Sequence, residues 1–227
     1  MNKEKVIDDA FWHTKWETDQ LGFHQEKVNS RLQKYWPELQ VADDAKVFVP
    51  LCGKSLDMLW LAQHHRVIGN ELSEIAVTDF FAEHALEPEK SSTDRYTRFA
   101  AGGIELLCGD YFALEPMDLK GVGGVFDRAS LIALPAVLRK RYAKQLAHLL
   151  PESCKVLLIT MIYDESRMQG PPFSVSEDEV YALFESEFSV QRVAQSEGPD
   201  IVGNLSERGL DTLTEQVFVL TKLPSSA

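Results

Sequence analysis

Three apolar residues in a row, Val47-Phe48-Val49, read as a short buried strand over about 46–50. Pro50 ends it, because proline has no N–H to give to a sheet ladder. Gly53 permits a tight turn, and Ser55 is a fair N-cap for a helix carrying Leu56, Leu59, Trp60 and Leu61. A second apolar run, Val67-Ile68-Gly69-Asn70-Glu71, predicts a strand at 66–71 that ends in a carboxylate. The next helix starts from Ser73, with Glu74 in its first turn and Ile75, Val77, Phe80 and Phe81 inside. Ser91-Ser92-Thr93-Asp94 reads as a loop. Residues 96–100 and 104–108 flank Gly102-Gly103 as a hairpin, and a strand at 123–128 ends in Asp127 and Arg128.

Pro135 opens a helix to about 149 with Val137, Leu138, Tyr142, Leu146 and Leu149 along it. Val156 to Ile162 is a nearly continuous apolar strand, the pattern of burial on both faces. Gly170-Pro171-Pro172-Phe173 makes a rigid loop. Ser176 with Glu179 predicts a capping box for the following helix. Strands at about 188–194 and 215–222 enclose a loop from Gly198 to Gly209 that is placed to close a site. Before the first strand, residues 3–20 carry Phe11, Trp12 and Trp16 at helical offsets. Leu21-Gly22-Phe23-His24-Gln25 breaks that helix, and Val28, Leu32 and Tyr35 mark a second one, stopped near Pro37. The aromatic face fits either a helix packed on the core or a lid over a ligand.

This alternation predicts an α/β fold: a doubly wound, mostly parallel sheet with an antiparallel edge. Ligands in such sheets sit at the carboxyl ends of the strands. Leu51, Gly53, Glu71, Asp110, Tyr111, Asp127 and Arg128 all fall at such ends. An acidic residue about 20 positions after a glycine turn is where these folds bind the two hydroxyls of a ribose, and Glu71 fits that place. Gly53-Lys54-Ser55 imitates the end of a phosphate-binding loop, but Phe48 stands where another glycine is required, and the three-glycine dinucleotide fingerprint is missing. A nucleoside cofactor without phosphates follows, and S-adenosyl-L-methionine fits. The blander reading makes Gly53 a turn, Glu71 a solvated strand end, and Asp127 and Arg128 a pair of charges that solvates another.

The 227 residues suffice for one α/β domain, expected to span 1–227 with residues 1–40 as an N-terminal helical cover. Hydrophobic residues make up 44% and charged ones 26%, as in ordinary soluble chains. A net charge of -12 argues against nucleic acid or an anionic membrane as partner. Met1 to Lys5 is charged and leads into no apolar signal segment, and no apolar run approaches the roughly 20 residues of a membrane span. Cys52, Cys108 and Cys154 are odd in number and widely spaced, which suggests reduced thiols in a cytoplasmic protein rather than a disulfide framework or a metal site. The chain is expected to be a monomer.

With these residues in hand, the chain resembles the thiopurine S-methyltransferase family, in its bacterial branch. The matching pieces are Phe11-Trp12 with Trp16, Phe23-His24-Gln25, the run Val49 to Asp57, Gly69 to Ser73, Cys108 to Phe112, Asp127-Arg128-Ala129 and Gly170-Pro171-Pro172-Phe173. They occur in the family's order. The resemblance implies a class I S-adenosylmethionine-dependent, Rossmann-like fold and S-methylation of thiopurines and other small aromatic or heterocyclic thiols. It implies cofactor contacts from Trp16, Leu51, Glu71, Asp110, Tyr111 and Arg128, to which the turn reading adds Gly53, where backbone can approach a ligand closely. It places Phe23, Arg128 and Arg208 near the substrate; Arg128 is expected to be the catalytic residue because its charge would stabilise an anionic substrate or balance charge as the sulfonium is neutralised. Some bacterial members also methylate selenium or tellurium compounds. Methyl transfer to an easily ionised thiol is mainly alignment and exclusion of water, so no general base is assigned. Three rivals stand beside this reading. They are a nicotinamide-dependent oxidoreductase on the same sheet, a protein that merely sequesters the cofactor, and an oxygen or nitrogen methyltransferase with a positioned base such as His24.

Overall fold

The computed structural model describes residues 9–18, 25 and 27–224. Phe23 and His24 lie outside these described residues.

Two short helices come first, α1 (Asp9–Glu17) and α2 (Ser30–Tyr35). Asn29 caps α2: its side-chain oxygen accepts the N–H groups of Arg31 and Leu32. The sheet then begins with β1 (Lys46–Val49), followed by α3 (Asp57–Leu61), β2 (Arg66–Glu71) and α4 (Glu74–Glu83). Next come β3 (Glu89–Ser92), β4 (Thr97–Ala101), β5 (Ile104–Cys108) and β6 (Val122–Arg128). The chain continues through α5 (Ala136–Leu149), β7 (Lys155–Ile162), α6 (Glu177–Phe184), β8 (Phe188–Gly198) and β9 (Leu213–Lys222).

The nine strands form one sheet in the order β3-β4-β5-β2-β1-β6-β7-β9-β8. β5, β2, β1, β6 and β7 run parallel; β9 with β8 at one side and β4 with β3 at the other run antiparallel. Strand alternation divides the core in two. On one face Phe48, Ile68, Val125, Val156, Leu158 and Phe218 pack under α5 and α6. On the other Val47, Val49, Val67, Leu106, Phe126, Leu157 and Val217 pack under α2, α3 and α4. The strand order reverses around β1, so the carboxyl ends of β1, β2 and β6 open on one crevice.

The structure corrects the sequence reading in several places. β3 lies where a loop was expected; its residues are all exposed, so no apolar alternation marked it. The sheet is therefore antiparallel at both edges. α3 begins at Asp57 and is barely longer than a turn, with Leu56 rather than Ser55 at its cap position. Val137 is 83% exposed and does not belong to the core face of α5. The capping box at α6 is half built. Ser176 accepts the Glu179 N–H, but the Glu179 carboxylate turns to Arg139 instead of back to the cap. The stretch after Gly198 folds into two turns of 3-10 helix, at Pro199–Ile201 and Gly203–Arg208.

Candidate active site

The turn after β1 is tight because two consecutive-but-one residues take left-handed backbone: Leu51 at φ 44 and Gly53 at φ 52. For Leu51 that conformation is costly, and such strain persists where the surroundings over-determine it. Three contacts do so here. The Cys52 N–H donates to the Asn70 carbonyl (2.8 Å), the Ser130 hydroxyl donates to the Pro50 carbonyl (2.7 Å), and the Gly53 N–H donates to Glu71 Oε2 (2.9 Å). The turn also presses on β2. A Cβ on Gly69 would lie 2.7 Å from Cys52 Sγ and 2.5 Å from a Leu106 methyl, so no larger residue fits beneath it.

Glu71, at the end of β2, is buried, and its other carboxylate oxygen accepts the Ser73 N–H at 2.8 Å. Burial pushes this carboxyl up, and the N–H bonds from Ser73, Gly53 and Leu72 oppose that push. A carboxylate offers about four acceptor positions. The Gly53 and Ser73 amides fix its orientation and leave further acceptor positions at the end of β2.

Beside it, the Asn70 amide donates to the carbonyls of Leu107 (3.0 Å) and Gly109 (2.9 Å), which sets the end of β5. Asp110 there is exposed, and one of its oxygens accepts the Phe112 N–H at 2.8 Å. Tyr111 is different: its ring is buried and stacked on Tyr142, with centroids 4.9 Å apart. With its ring in the core, Tyr111 has only its main chain left to offer at the strand end. Trp16 is buried on α1, which packs near α4.

Asp127 and Arg128, adjacent in sequence, part at the end of β6. Asp127 goes to the α5 face, where it accepts the Tyr142 hydroxyl (2.7 Å) and the Leu131 N–H (3.2 Å). Burial pushes its carboxyl up to about 6. Arg128 goes to the opposite face, so the two do not form the pair that their order suggests. Burial lowers the Arg128 pKa, while the charges of Asp57 and Glu215 raise it. Neither carboxylate bonds to it. Asp57 is buried and accepts the Asn29 N–H (2.7 Å) and the Ser55 hydroxyl (3.1 Å). Glu215 accepts Arg31 Nε at 2.6 Å, and Arg31 also donates to Ser196 at 3.0 Å. Among the described residues the Arg128 guanidinium has no hydrogen bond or ion pair, so its fork of donors is open to a ligand.

Arg208 is exposed, and its donors are engaged by the carbonyls of Pro171 (2.7 Å) and Gln169 (2.8 Å). It thereby fastens the late loop to the Gly-Pro-Pro-Phe loop, over a small apolar cluster of Tyr163, Met168, Val202, Leu205, Leu210 and Leu213. The three cysteines are free thiols; burial pushes Cys52 well up, Cys108 to about 11 and Cys154 to about 12, which leaves them poor nucleophiles. Among the described residues no cluster of His, Cys, Asp and Glu suits a metal ion, and no helix is long and apolar enough to cross a membrane.

Asp57, Glu215 and Arg31 carry much of the site's charge, and the sequence reading assigned none of them a role. Asp57 lay inside a recognised run, two residues after Ser55, which was its one visible signal. Arg31 and Glu215 are 184 residues apart, and no spacing connects them.

Comparison with known proteins bears on this geometry. The family described as Thiopurine S-methyltransferase matches residues 7–223. A thiopurine S-methyltransferase of Pseudomonas syringae pv. tomato is 45% identical over 213 residues, 93% of this chain and 97% of that protein. One from Pseudomonas fluorescens (strain Pf0-1) is 48% identical over 212 residues, 92% and 96% of the two. Among solved structures, the 1,6-didemethyltoxoflavin-N1-methyltransferase of Burkholderia thailandensis, with S-adenosylhomocysteine bound, superposes with a TM-score of 0.62 at 13% identity. It covers 98% of this chain and 93% of that one. A SAM-dependent methyltransferase from Anabaena variabilis also gives 0.62, at 15% identity and 98% of each chain. These two show the shared class I methyltransferase fold.

Proposed function

Because the chain belongs to the thiopurine S-methyltransferase family and is an S-adenosylmethionine-dependent methyltransferase, we propose that it methylates the sulfur of small aromatic or heterocyclic thiols, thiopurines among them. The observation that carries this reading is the open guanidinium of Arg128 at the end of β6, next to the cofactor turn and with no protein anion bonded to it among the described residues. A thiol that ionises easily arrives as a thiolate, and an open guanidinium is a fitting partner for it. Glu71 holds the ribose hydroxyls. The turn at Leu51 and Gly53, Asp110, the main chain of Tyr111, and Trp16 line the remainder of the cofactor. When bound, the cofactor supplies an electrophilic methyl carbon. A substrate that arrives already as a thiolate would need no proton moved by the enzyme. Asp127 is unsuited as a base, being turned to Tyr142 on the other face. Arg128 holds and orients the thiolate, and residues before about 40, with Phe23, act as the cover that excludes water. Arg208 supports the substrate loop from outside.

The reading extends to one domain acting as a cytoplasmic monomer on a small molecule, without nucleic acid, in keeping with the net charge of -12. The test is a panel of thiopurines, thiophenols, selenium and tellurium oxyanions, phenols and anilines, each incubated with radiolabelled methyl donor. Thioether products from the thiols are expected. Methylated phenols or anilines with no thioether would overturn the proposal.

A further inference from the structure

The pocket side of β6 holds an arrangement that the methyl-transfer reaction alone does not require. Arg128 ends β6 on the face covered by α2 and α3. The register through β7 (Arg128 beside Ile159, Ile159 beside Val217) puts Glu215 of β9 on that same face, and α3, which carries Asp57, packs over it, so that the charges of both carboxylates bear on Arg128. An arginine next to a carboxylate normally closes on it as a bidentate fork. Here each carboxylate is held back by other donors. Asp57 Oδ1 accepts the Asn29 N–H at 2.7 Å, and Oδ2 accepts the Ser55 hydroxyl at 3.1 Å, while the Asp57 N–H returns to Ser55 Oγ at 3.2 Å. Glu215 is clamped by Arg31, itself fixed by Ser196. The donors on both carboxylates are main-chain or anchored side-chain groups, so the negative charges stay where they are. They temper the field of Arg128 without occupying its fork.

We infer that Asp57 and Glu215 are positioning residues that set the pH at which a thiol bound at Arg128 gives up its proton. The inference rests on the proposal that Arg128 holds the substrate thiolate. The charged groups that bear on Arg128 are Asp57 and Glu215, with Arg31 bonded to Glu215. Asp127 faces the other side of the sheet. An anion formed at Arg128 feels the positive charge of the guanidinium and the two negative charges that bear on it. Removal of either negative charge favours the anion. At an effective dielectric of about 20, one charge about 8–12 Å away moves an ionisation by roughly one unit to one and a half units.

The experiment uses the full chain with S-adenosylhomocysteine in place of the methyl donor and thiophenol as the probe. Thiophenol and its thiolate differ in near-ultraviolet absorbance, so the bound probe is titrated directly, without turnover. Asp57→Asn keeps an acceptor for the Asn29 N–H and removes the charge; Glu215→Gln does the same on the other side. In each variant the bound thiol should ionise at a pH lower by roughly one unit to one and a half units than in the wild type. The acid limb of kcat for thiophenol should move in the same direction. A role confined to folding would change amplitudes and leave both pH values in place. Two variants from separate elements keep the test open if one of them fails to fold. Unshifted titration in a folded variant that still binds thiophenol overturns the inference and leaves the substrate proposal standing. Absence of thiophenol binding by the wild type overturns both.

Discussion

Asp127 offers the sharpest test of how the end of β6 is used. Its carboxyl is fully enclosed, bonded to Tyr142 and Leu131, and titrates near 6 against an ordinary value of 3.8. The folded state therefore binds this proton more tightly than the unfolded chain does. The sign follows: the stability that Asp127 contributes is fully present below about 4 and is lost as the pH rises through about 6. The free energy involved is about 3 kcal/mol, from some two pH units at about 1.4 kcal/mol each. Asp127→Asn removes the titration and keeps the bonds, because its oxygen accepts the Leu131 N–H while its amide donates to the Tyr142 oxygen. Unfolding in urea at a series of pH values measures the difference. The variant should gain on the wild type by about 3 kcal/mol between pH 4 and pH 7, with methyl transfer changed little because the side chain faces α5. A stability difference that stays flat over that range would refute the burial argument, and a large loss of methyl transfer would return Asp127 to the active site.

Two further outcomes follow from the cofactor turn. Glu71→Ala removes charge-assisted bonds worth roughly 1.5–3 kcal/mol each, so cofactor affinity measured by calorimetry should fall tenfold or more; an unchanged Kd would remove Glu71 from the site. Gly69→Ala places a methyl 2.5 Å from Leu106 and 2.7 Å from Cys52, which should cost roughly 1–3 kcal/mol in a thermal melt and weaken cofactor binding as the turn shifts; a variant with wild-type stability would show that the turn is not seated on β2 as described.

The parts of this architecture that can be read from sequence are those where a local rule operates. Val47 to Val49 followed by a proline, and the glycine turn before Glu71, place β1 and β2 within a residue, because strand periodicity and turn chemistry are short-range. The strand β3 escapes for the same reason: Glu89 to Ser92 are all exposed and polar, and only pairing with β4 makes them a strand. Glu179 shows a capping signal overridden from a distance, because Arg139, 40 residues earlier, presents a guanidinium fork that its carboxylate prefers. Asp127 and Arg128 are the plainest case. Adjacency in sequence suggests a pair, but the period of two along a strand sends neighbours to opposite faces. Their partners, Tyr142 on one side and the charges of Asp57 and Glu215 on the other, depend on which helices cover each face, and no local pattern states that.

On the proposed binding of a thiolate at Arg128, the charges around it bear on how little acid–base machinery the reaction asks for. Methyl transfer from a sulfonium to a thiolate makes two neutral products from a cation and an anion. Charge disappears along the reaction, so a site that withholds water favours progress toward the transition state. A lone buried cation would work against this by stabilising the thiolate more than the partly neutralised sulfur that follows it. Two fixed carboxylates nearby limit that effect. The formal charges of Arg128, Asp57, Glu215 and Arg31 sum to zero, as do those of the pair of reactants the cluster would hold. Arg31 contributes twice, since its bonds to Glu215 and Ser196 also fasten α2 against β9 and β8. Asn29 does the same on the other side by donating to Asp57. Two of the donors on these carboxylates thus also join α2 and its cap to the rest of the fold, Arg31 to the sheet and Asn29 to α3. Exclusion of water and adjustment of charge come from the same few bonds, and a substitution that loosens one should disturb the other.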